Sequence, residues 1–394
     1  MKEKEVFIIG AKGIPARYGG FESFVEQLTL GKKSPDIHYN VACRRDLSKN
    51  KSDFYEYNCA TCFNVDVPNV GAAKAILYDV RAFKKSLNII EQNNIQDPII
   101  YVLACRIGPF IAQLKSKLKK YNGQLFVNPD GHEWLRAKWS YPVRKYWKLS
   151  EKLMVKHADL LICDSKNIET YIRKDYHSFS PKTKYIAYGS DLIRSGLRYE
   201  TPKVKEWFEK NKIIPKEYFL IVGRFVPENN FEIMIREFMK TNIAKDLVVV
   251  TNVERNKFYK YLLDKTNFIS DERIKFVGTV YDTSLLKFIR ENAVAYLHGH
   301  EVGGTNPSLL EALGSTSVNM LLDVGFNREV GVAGAIYWTK ETGVLKNQIE
   351  SVARMHESEI HELGRLAKLR VIDDFNWSNI VDKYEDTFQT EVKK

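Results

Sequence analysis

The sequence lacks the features of a spanning segment, a disulfide framework and a carboxylate-based metal site. Its apolar runs, such as Leu247–Val250 and Ala293–Leu297, stop after about five residues, well below the ~20 that a spanning helix needs. The opening Met1-Lys2-Glu3-Lys4-Glu5 leads into only Val6 to Ile9 before the first glycine, too little for a secretory h-region, so no leader is expected. Five cysteines in 394 residues are few and odd in number, which predicts reduced thiols and a cytoplasmic setting. Cys59 and Cys62 have CxxC spacing, but no second Cys/His pair completes four zinc ligands. No Asp-x-Asp occurs anywhere, so a usual closely spaced carboxylate pair for a divalent ion is missing, and no metal is expected. His298, His300 and Glu301 cluster, but alternate residues of an extended segment share a face for packing reasons alone.

What is present describes a globular protein. Hydrophobic residues make up 44% and charged residues 28%, and the length predicts two or three domains with closed cores. The net charge of +11 is concentrated: residues 106–174 hold 15 Lys/Arg against 6 Asp/Glu. Such a patch implies an anionic partner, whether nucleic acid, a phospholipid surface or a phosphorylated substrate.

Short apolar runs alternate with stretches of helical period. Val6–Ile9, Tyr39–Cys43, Ile99–Ala104, Leu125–Asn128, Leu160–Cys163 and Lys184–Ala187 read as strands; Phe21–Leu30, Ala72–Ile90, Pro109–Lys119, Val143–His157 and Ile168–Lys174 read as helices. Residues 191–203 have no strong period and contain Gly196 and Pro202, as a linker would. The alternation then restarts with strands Tyr218–Val222, Leu247–Thr251, Ile274–Val277, Ala293–Leu297 and Val318–Leu322, and helices near 228–241, 254–266, 282–291, 306–314 and 340–370. The expected architecture is α/β, two doubly wound Rossmann-like units (1–190 and 191–375) with a final helix in 376–394 that belongs to either. In such sheets the chemistry lies in loops after strands.

Four loops qualify. The first, Gly10 to Glu22, has Gly19 and Gly20 just before a helix, which in outline leaves its amino end open to an anion. It matches neither G-x-G-x-x-G nor a P-loop, and the alternative is a turn that merely needs glycine. The second, Asn128-Pro129-Asp130-Gly131-His132-Glu133-Trp134, holds ionisable side chains at a strand end, where one could act as base or electrostatic stabiliser; the alternative is that Asp130 caps a helix beginning at Trp134. In the third, Arg224 beside Gly223 offers planar, permanently charged donors to a pyrophosphate or joins a surface salt bridge. The fourth runs from Gly303-Gly304-Thr305-Asn306-Pro307 to Glu311. Gly303 and Gly304 free the backbone and Thr305 or Asn306 can cap a helix with Pro307 near its first turn, so that several N–H groups point at one anion, and Glu311, too deep for a cap, suits ribose hydroxyls.

The four loops in this order, with Ala187-Tyr188-Gly189-Ser190-Asp191 between the units, resemble GT-B glycosyltransferases of the large retaining group that use nucleotide sugars. Residues 9–22 (IGAKGIPARYGGFE), 128–140 (NPDGHEWLRAKWS) and 298–312 (HGHEVGGTNPSLLEA) resemble bacterial rhamnosyltransferases of capsule and cell-wall polysaccharide assembly. The resemblance implies two units facing across a cleft, dTDP-L-rhamnose as donor substrate with no cofactor, and a lipid-pyrophosphate-linked sugar of the polyprenyl type as acceptor. It implies pyrophosphate binding by Arg224, ribose binding by Glu311, a phosphate-facing turn at Gly304-Thr305-Asn306, and catalysis at Asp130 with His132 beside it. Arg17, Gly19 and Gly20 would form the acceptor or phosphate loop. Two departures stand out. The wider group separates two glutamates by seven residues, a count that leads back from Glu311 to Gly303, with Glu301 displaced by two; and a lysine usually stands five positions after the arginine, where this chain has Asn229.

Aromatics are interleaved with the basic segment: Trp134, Trp139, Tyr141, Tyr146 and Trp147 among Arg136, Lys138, Arg144, Lys145, Lys148, Lys152 and Lys156. This predicts docking on the anionic inner face of the cell membrane, with Arg144, Lys145, Lys148 and Trp147 in contact; the alternative is a solvated helix whose aromatics pack inward. No nucleic-acid-binding module accompanies the charge, so no nucleic-acid partner is expected. The readings left beside rhamnosyl transfer are a GT-B enzyme using UDP-glucose or UDP-N-acetylglucosamine, an epimerase on the same fold, and a non-catalytic nucleic-acid- or phospholipid-binding protein.

Overall fold

A computed structural model describes residues 3–16, 19–136, 139–253 and 255–390. The chain divides into two compact units, the first made of Met1–Tyr188 with Trp377–Lys394 and the second of Gly189–Asn376.

The first unit carries strands β1 (Lys4–Ile9), β2 (Ile37–Arg44), β3 (Phe54–Tyr57), β4 (Ala60–Val65), β5 (Ile99–Leu103), β6 (Gln124–Asn128), β7 (Leu160–Cys163) and β8 (Thr183–Tyr185). Helices α1 (Gly20–Leu30), α2 (Lys74–Gln92), α3 (Gly108–Leu118), α4 (Tyr141–His157) and α5 (Lys166–Asp175) alternate with them. The sheet order is β3-β4-β2-β1-β5-β6-β7-β8. The central β5, Ile-Ile-Tyr-Val-Leu, is buried along its whole length, as a strand covered on both faces must be. The β3/β4 hairpin is antiparallel and absent from the sequence reading. Its turn residues Asn58 and Cys59 both have positive φ (47° and 55°), the geometry of a tight two-residue hairpin turn.

The second unit carries α6 (Pro202–Asn211), β9 (Tyr218–Val222), α7 (Phe231–Met239), β10 (Asp246–Val250), α8 (Lys257–Thr266), β11 (Ile274–Gly278) and α9 (Thr283–Glu291). It continues through β12 (Ala295–His298), α10 (Pro307–Ser315), β13 (Asn319–Leu322), α11 (Gly325–Gly331), β14 (Ile336–Trp338), α12 (Val344–Val352) and α13 (Glu357–Asp374). The sheet is parallel throughout, in the order β11-β10-β9-β12-β13-β14. Three expectations are corrected. The expected linker ends two residues early, since α6 starts within it at Pro202, whose missing N–H costs nothing at the first helical position. Strand β14 was not read. The single helix expected over 340–370 is two, because a capping box of His356 and Glu359 starts α13 afresh.

The chain returns to the first unit as α14 (Trp377–Gln389). Its Phe388 ring packs on Tyr39, Tyr101 and Phe126, and Glu385 accepts the Lys33 and Ser34 N–H groups at 2.9 Å each. In each unit the strand order reverses about the first strand, β1 between β2 and β5, and β9 between β10 and β12. The crevice beyond the carboxyl ends at such a reversal is where open α/β sheets take ligands.

Candidate active site

In the second unit the reversal is bridged by one side chain. Tyr296, on β12, lies 3.1 Å from the Val222 carbonyl at the end of β9 and 3.2 Å from Ser308 Oγ in the first turn of α10. Arg290 Nη2 donates to that same Ser308 Oγ at 3.1 Å, and its Nη1 pairs with Glu311 Oε2 at 2.6 Å. The ends of β9 and β12 and the start of α10 are thereby joined beneath the crevice. Glu311 presents its carboxylate to solvent with a guanidinium fixed behind it. Arg290 was missed in the sequence because, in the last turn of α9, it reads as an ordinary helix-end cation.

Arg224 follows β9, is exposed, and makes no ion pair among the described residues. Asn229, where the resemblance puts a lysine, is buried and donates from Nδ2 to the Arg224 carbonyl at 2.7 Å. It is a clamp on the arginine's backbone. Asn230 Nδ2 holds the Gly299 carbonyl and Glu301 Oε2, both at 2.7 Å, and Lys340 Nζ pairs with the same Glu301 oxygen. Gly299 has to be glycine: a Cβ there would lie 2.5 Å from the Asn229 carbonyl oxygen.

Of the two expected caps of α10, Thr305 and Asn306, the structure uses Asn306. Asn306 Oδ1 accepts the Ser308 and Leu309 N–H groups at 2.9 and 3.4 Å, and Pro307 has no N–H, so the first turn is capped from within. What faces outward is the preceding turn, where Gly303 has φ 127° and open space at its Cβ position, followed by Gly304 and the buried Thr305. His298 is buried and stacked on His300 with ring centroids 4.3 Å apart, and its Nε2 has no hydrogen-bond partner. Burial pushes its imidazole down to about 3, so it is neutral at ordinary pH. Among the described residues no group of three or more His, Cys, Asp or Glu side chains is arranged to hold a metal.

In the first unit the loops after β1 and β5 are tied by Arg106, whose Nη1 donates to the Gly10 carbonyl (2.9 Å), Asp79 Oδ2 (3.0 Å) and the Leu103 carbonyl (3.2 Å). Asp79 is fully buried, and burial raises its carboxyl against the opposing pull of Arg106. In the first turn of α1 the buried Glu22 carboxylate turns back to accept the Lys12 N–H at 2.7 Å and lies against Gly19, where a Cβ would be 1.8 Å from Oε2. Gly20 is the first residue of the helix, and Arg17 lies outside the described residues.

Asp130 has φ 57°, and its N–H donates to Asn128 Oδ1 at 2.8 Å, while Asn128 Nδ2 donates to Tyr188 at 3.2 Å. The element that follows is only a three-residue 3-10 turn, Glu133–Leu135, preceded by His132. Asp130 is therefore not its cap. Its Oδ2 lies 3.8 Å from Arg136 Nη2, and Arg136 also pairs with Glu133. The His132 ring sits 4.1 Å from that of Tyr171, and burial lowers its pKa.

The membrane-facing set is also corrected. Trp147 is buried against Trp139 and Tyr146. Lys148 turns inward: its Nζ contacts Tyr171 Oη at 2.5 Å and lies over the rings of Trp134, Tyr171 and Tyr176, beside the buried Glu151. Arg144 donates to the Arg136 carbonyl at 3.4 Å, and Lys138 is outside the described residues. The exposed face of α4 is instead Tyr141, Lys145, Leu149, Lys152 and Lys156. No described helix is long and apolar enough to cross a membrane.

The fold is that of GT-B glycosyltransferases, two Rossmann-like parallel-sheet domains. Sucrose-phosphate synthase from Thermosynechococcus elongatus superposes with a TM-score of 0.79 at 16% identity, covering 98% of each chain. HepE of Anabaena, solved with UDP, gives 0.69 at 14% identity, covering 98% of this chain and 99% of that one. A UDP-forming trehalose-phosphate synthase from Burkholderia xenovorans, solved with glucose-6-phosphate, gives 0.74 at 11% identity over 98% and 100%. A family model described as a domain of unknown function, DUF1972, matches residues 3–191. No curated protein sequence matches the chain.

Proposed function

We propose that the chain is a glycosyltransferase that takes its sugar from a nucleoside diphosphate, and specifically that it moves L-rhamnose from dTDP-L-rhamnose to a lipid-pyrophosphate-linked sugar in polysaccharide assembly. The observation that carries the reading is an exposed, Arg290-backed Glu311 carboxylate together with an exposed Arg224 that makes no ion pair among the described residues, both at one strand-order reversal. A carboxylate for sugar hydroxyls and a guanidinium for phosphate are the two ends of a nucleoside diphosphate. Arg224 and the 303–305 turn bind the diphosphate, Glu311 the furanose, and Glu301 a hydroxyl of the transferred sugar through its Oε1.

The rhamnosyl donor and lipid acceptor rest on the sequence resemblance of residues 9–22, 128–140 and 298–312. Transfer with retention breaks the anomeric C–O bond, and the departing β-phosphate oxygen receives the acceptor hydroxyl's proton as the new C–O bond forms on the same face. Asp130 is the catalytic carboxylate that stabilises positive charge developing at the anomeric carbon. No step requires a metal, since Arg224 and backbone N–H groups meet the leaving diphosphate. The face of α4 bearing Tyr141, Lys145, Leu149, Lys152 and Lys156 lies against the anionic inner leaflet, where an isoprenoid-anchored acceptor is met. A uridine diphosphate donor is the second reading, supported by the UDP held by the similar Anabaena protein. Calorimetry with dTDP and UDP tests the site: Arg224→Ala and Glu311→Ala should each weaken binding by roughly ten- to a hundredfold, and unchanged affinity in both folded variants contradicts it.

A further inference from the structure

Each phosphate of a nucleotide sugar carries negative charge, and breaking its bond to the sugar adds more, so the donor site is best served by more than one cation. Asn229 supplies none, and Arg290 is buried and engaged by Glu311. We infer that Lys340 is a further donor-binding residue, held by Glu301 so that its ammonium meets the diphosphate; the inference rests on the donor site proposed above.

Lys340 follows β14 and so stands at the carboxyl edge of the sheet, the same edge as Arg224 and the 299–306 loop. Its Nζ pairs with Glu301 Oε2, the oxygen that Asn230 Nδ2 also holds. Glu301 is fixed at its backbone as well, through its N–H to the Glu228 carbonyl at 3.2 Å, and it lies two residues before Gly303. An ammonium has three N–H donors, and Glu301 is its one partner among the described residues, which leaves donors for phosphate oxygens. The Lys340 side chain is 47% exposed. Ion pairs that exposed contribute little to stability, so the pair has small structural value; its effect is to keep a flexible stem beside the turn. Glu301, displaced by two from the expected spacing, thus acts as the holder of a cation that comes from another strand.

The test is calorimetry on the full chain with dTDP and UDP, and with dTMP and UMP, which lack the β-phosphate. Lys340→Met should weaken the diphosphates by about tenfold and the monophosphates by less than about twofold, as expected for loss of one charge-assisted contact to the β-phosphate. Its thermal midpoint should stay at the wild-type value, and Lys340→Arg should restore most of the diphosphate affinity. Wild-type diphosphate binding by Lys340→Met, alongside weakened binding by Arg224→Ala, overturns the role of Lys340 and leaves the donor site standing. Equal loss for mono- and diphosphates makes Lys340 structural and overturns the inference. If Arg224→Ala also binds like the wild type, the donor site itself is wrong and Lys340 falls with it.

Discussion

Arg290 and Glu311 form an ion pair of 2.6 Å whose two ends lie in different surroundings, the arginine side chain 5% exposed and the glutamate 46%. The asymmetry decides which half is costly to remove. Glu311→Gln leaves a guanidinium buried without its counter-ion, at about 3–5 kcal/mol; Arg290→Met leaves a carboxylate that water can solvate, at about 1–2 kcal/mol. Urea denaturation should rank the variants in that order, and both variants should weaken dTDP binding. The reverse ranking would mean that Arg290 supports the fold and not the carboxylate.

A second consequence concerns acid. His298 is held at about 3 by burial, against 6.5 in the unfolded chain. Its contribution to stability is complete above pH 6.5 and is lost as pH falls from there toward 3, because the unfolded chain takes up a proton that the folded one refuses. At pH 4.5 this amounts to about 2–3 kcal/mol. His298→Gln should therefore lose less stability than the wild type between pH 7.5 and 4.5. An identical drop in both would show that His298 titrates alike folded and unfolded.

Asp130→Asn suits the backbone, since Asn tolerates the positive φ of 57° at least as well as Asp. The variant should fold, bind dTDP like the wild type, and turn over on the order of a hundredfold more slowly. Near-normal turnover would reduce Asp130 to a turn residue.

On the membrane side, two groups of residues should separate. Lys145, Lys152 and Lys156 reversed to Glu should abolish flotation with anionic liposomes while dTDP binding persists. Trp147→Ala should instead lower stability by about 3–5 kcal/mol, the cost of truncating a buried aromatic. Flotation of the charge-reversed protein at the wild-type level would move the contact elsewhere.

These separations show where the sequence was readable. The strand and helix alternation was legible because β5 and its neighbours are short, continuous apolar runs, and the loops after β1, β6, β9 and β12 stood out by their glycines and ionisable groups. The orientation of α4 was misread although its period carried it: Trp147, Ser150, Glu151, Met154 and Val155 recur at helical spacing and are all buried. Charge in the neighbouring lysines drew attention to the wrong face. The β3 strand escaped because its exposed face carries Phe54 beside Glu56, so apolar and polar residues do not separate between its two faces. Arg290 and Lys340 were invisible for a different reason. Each meets its carboxylate across 21 and 39 residues of chain, and no local pattern encodes such a meeting.

The most direct measurement is nucleotide release by the purified full chain from dTDP-L-rhamnose, UDP-glucose and UDP-N-acetylglucosamine, with and without a polyprenyl-pyrophosphate-linked sugar. The expected result is acceptor-dependent release of dTDP from dTDP-L-rhamnose, persisting in excess EDTA and lost in Arg224→Ala. Acceptor-dependent UDP release with no turnover of dTDP-L-rhamnose would contradict the rhamnosyl assignment, and no release from any donor would contradict glycosyl transfer itself.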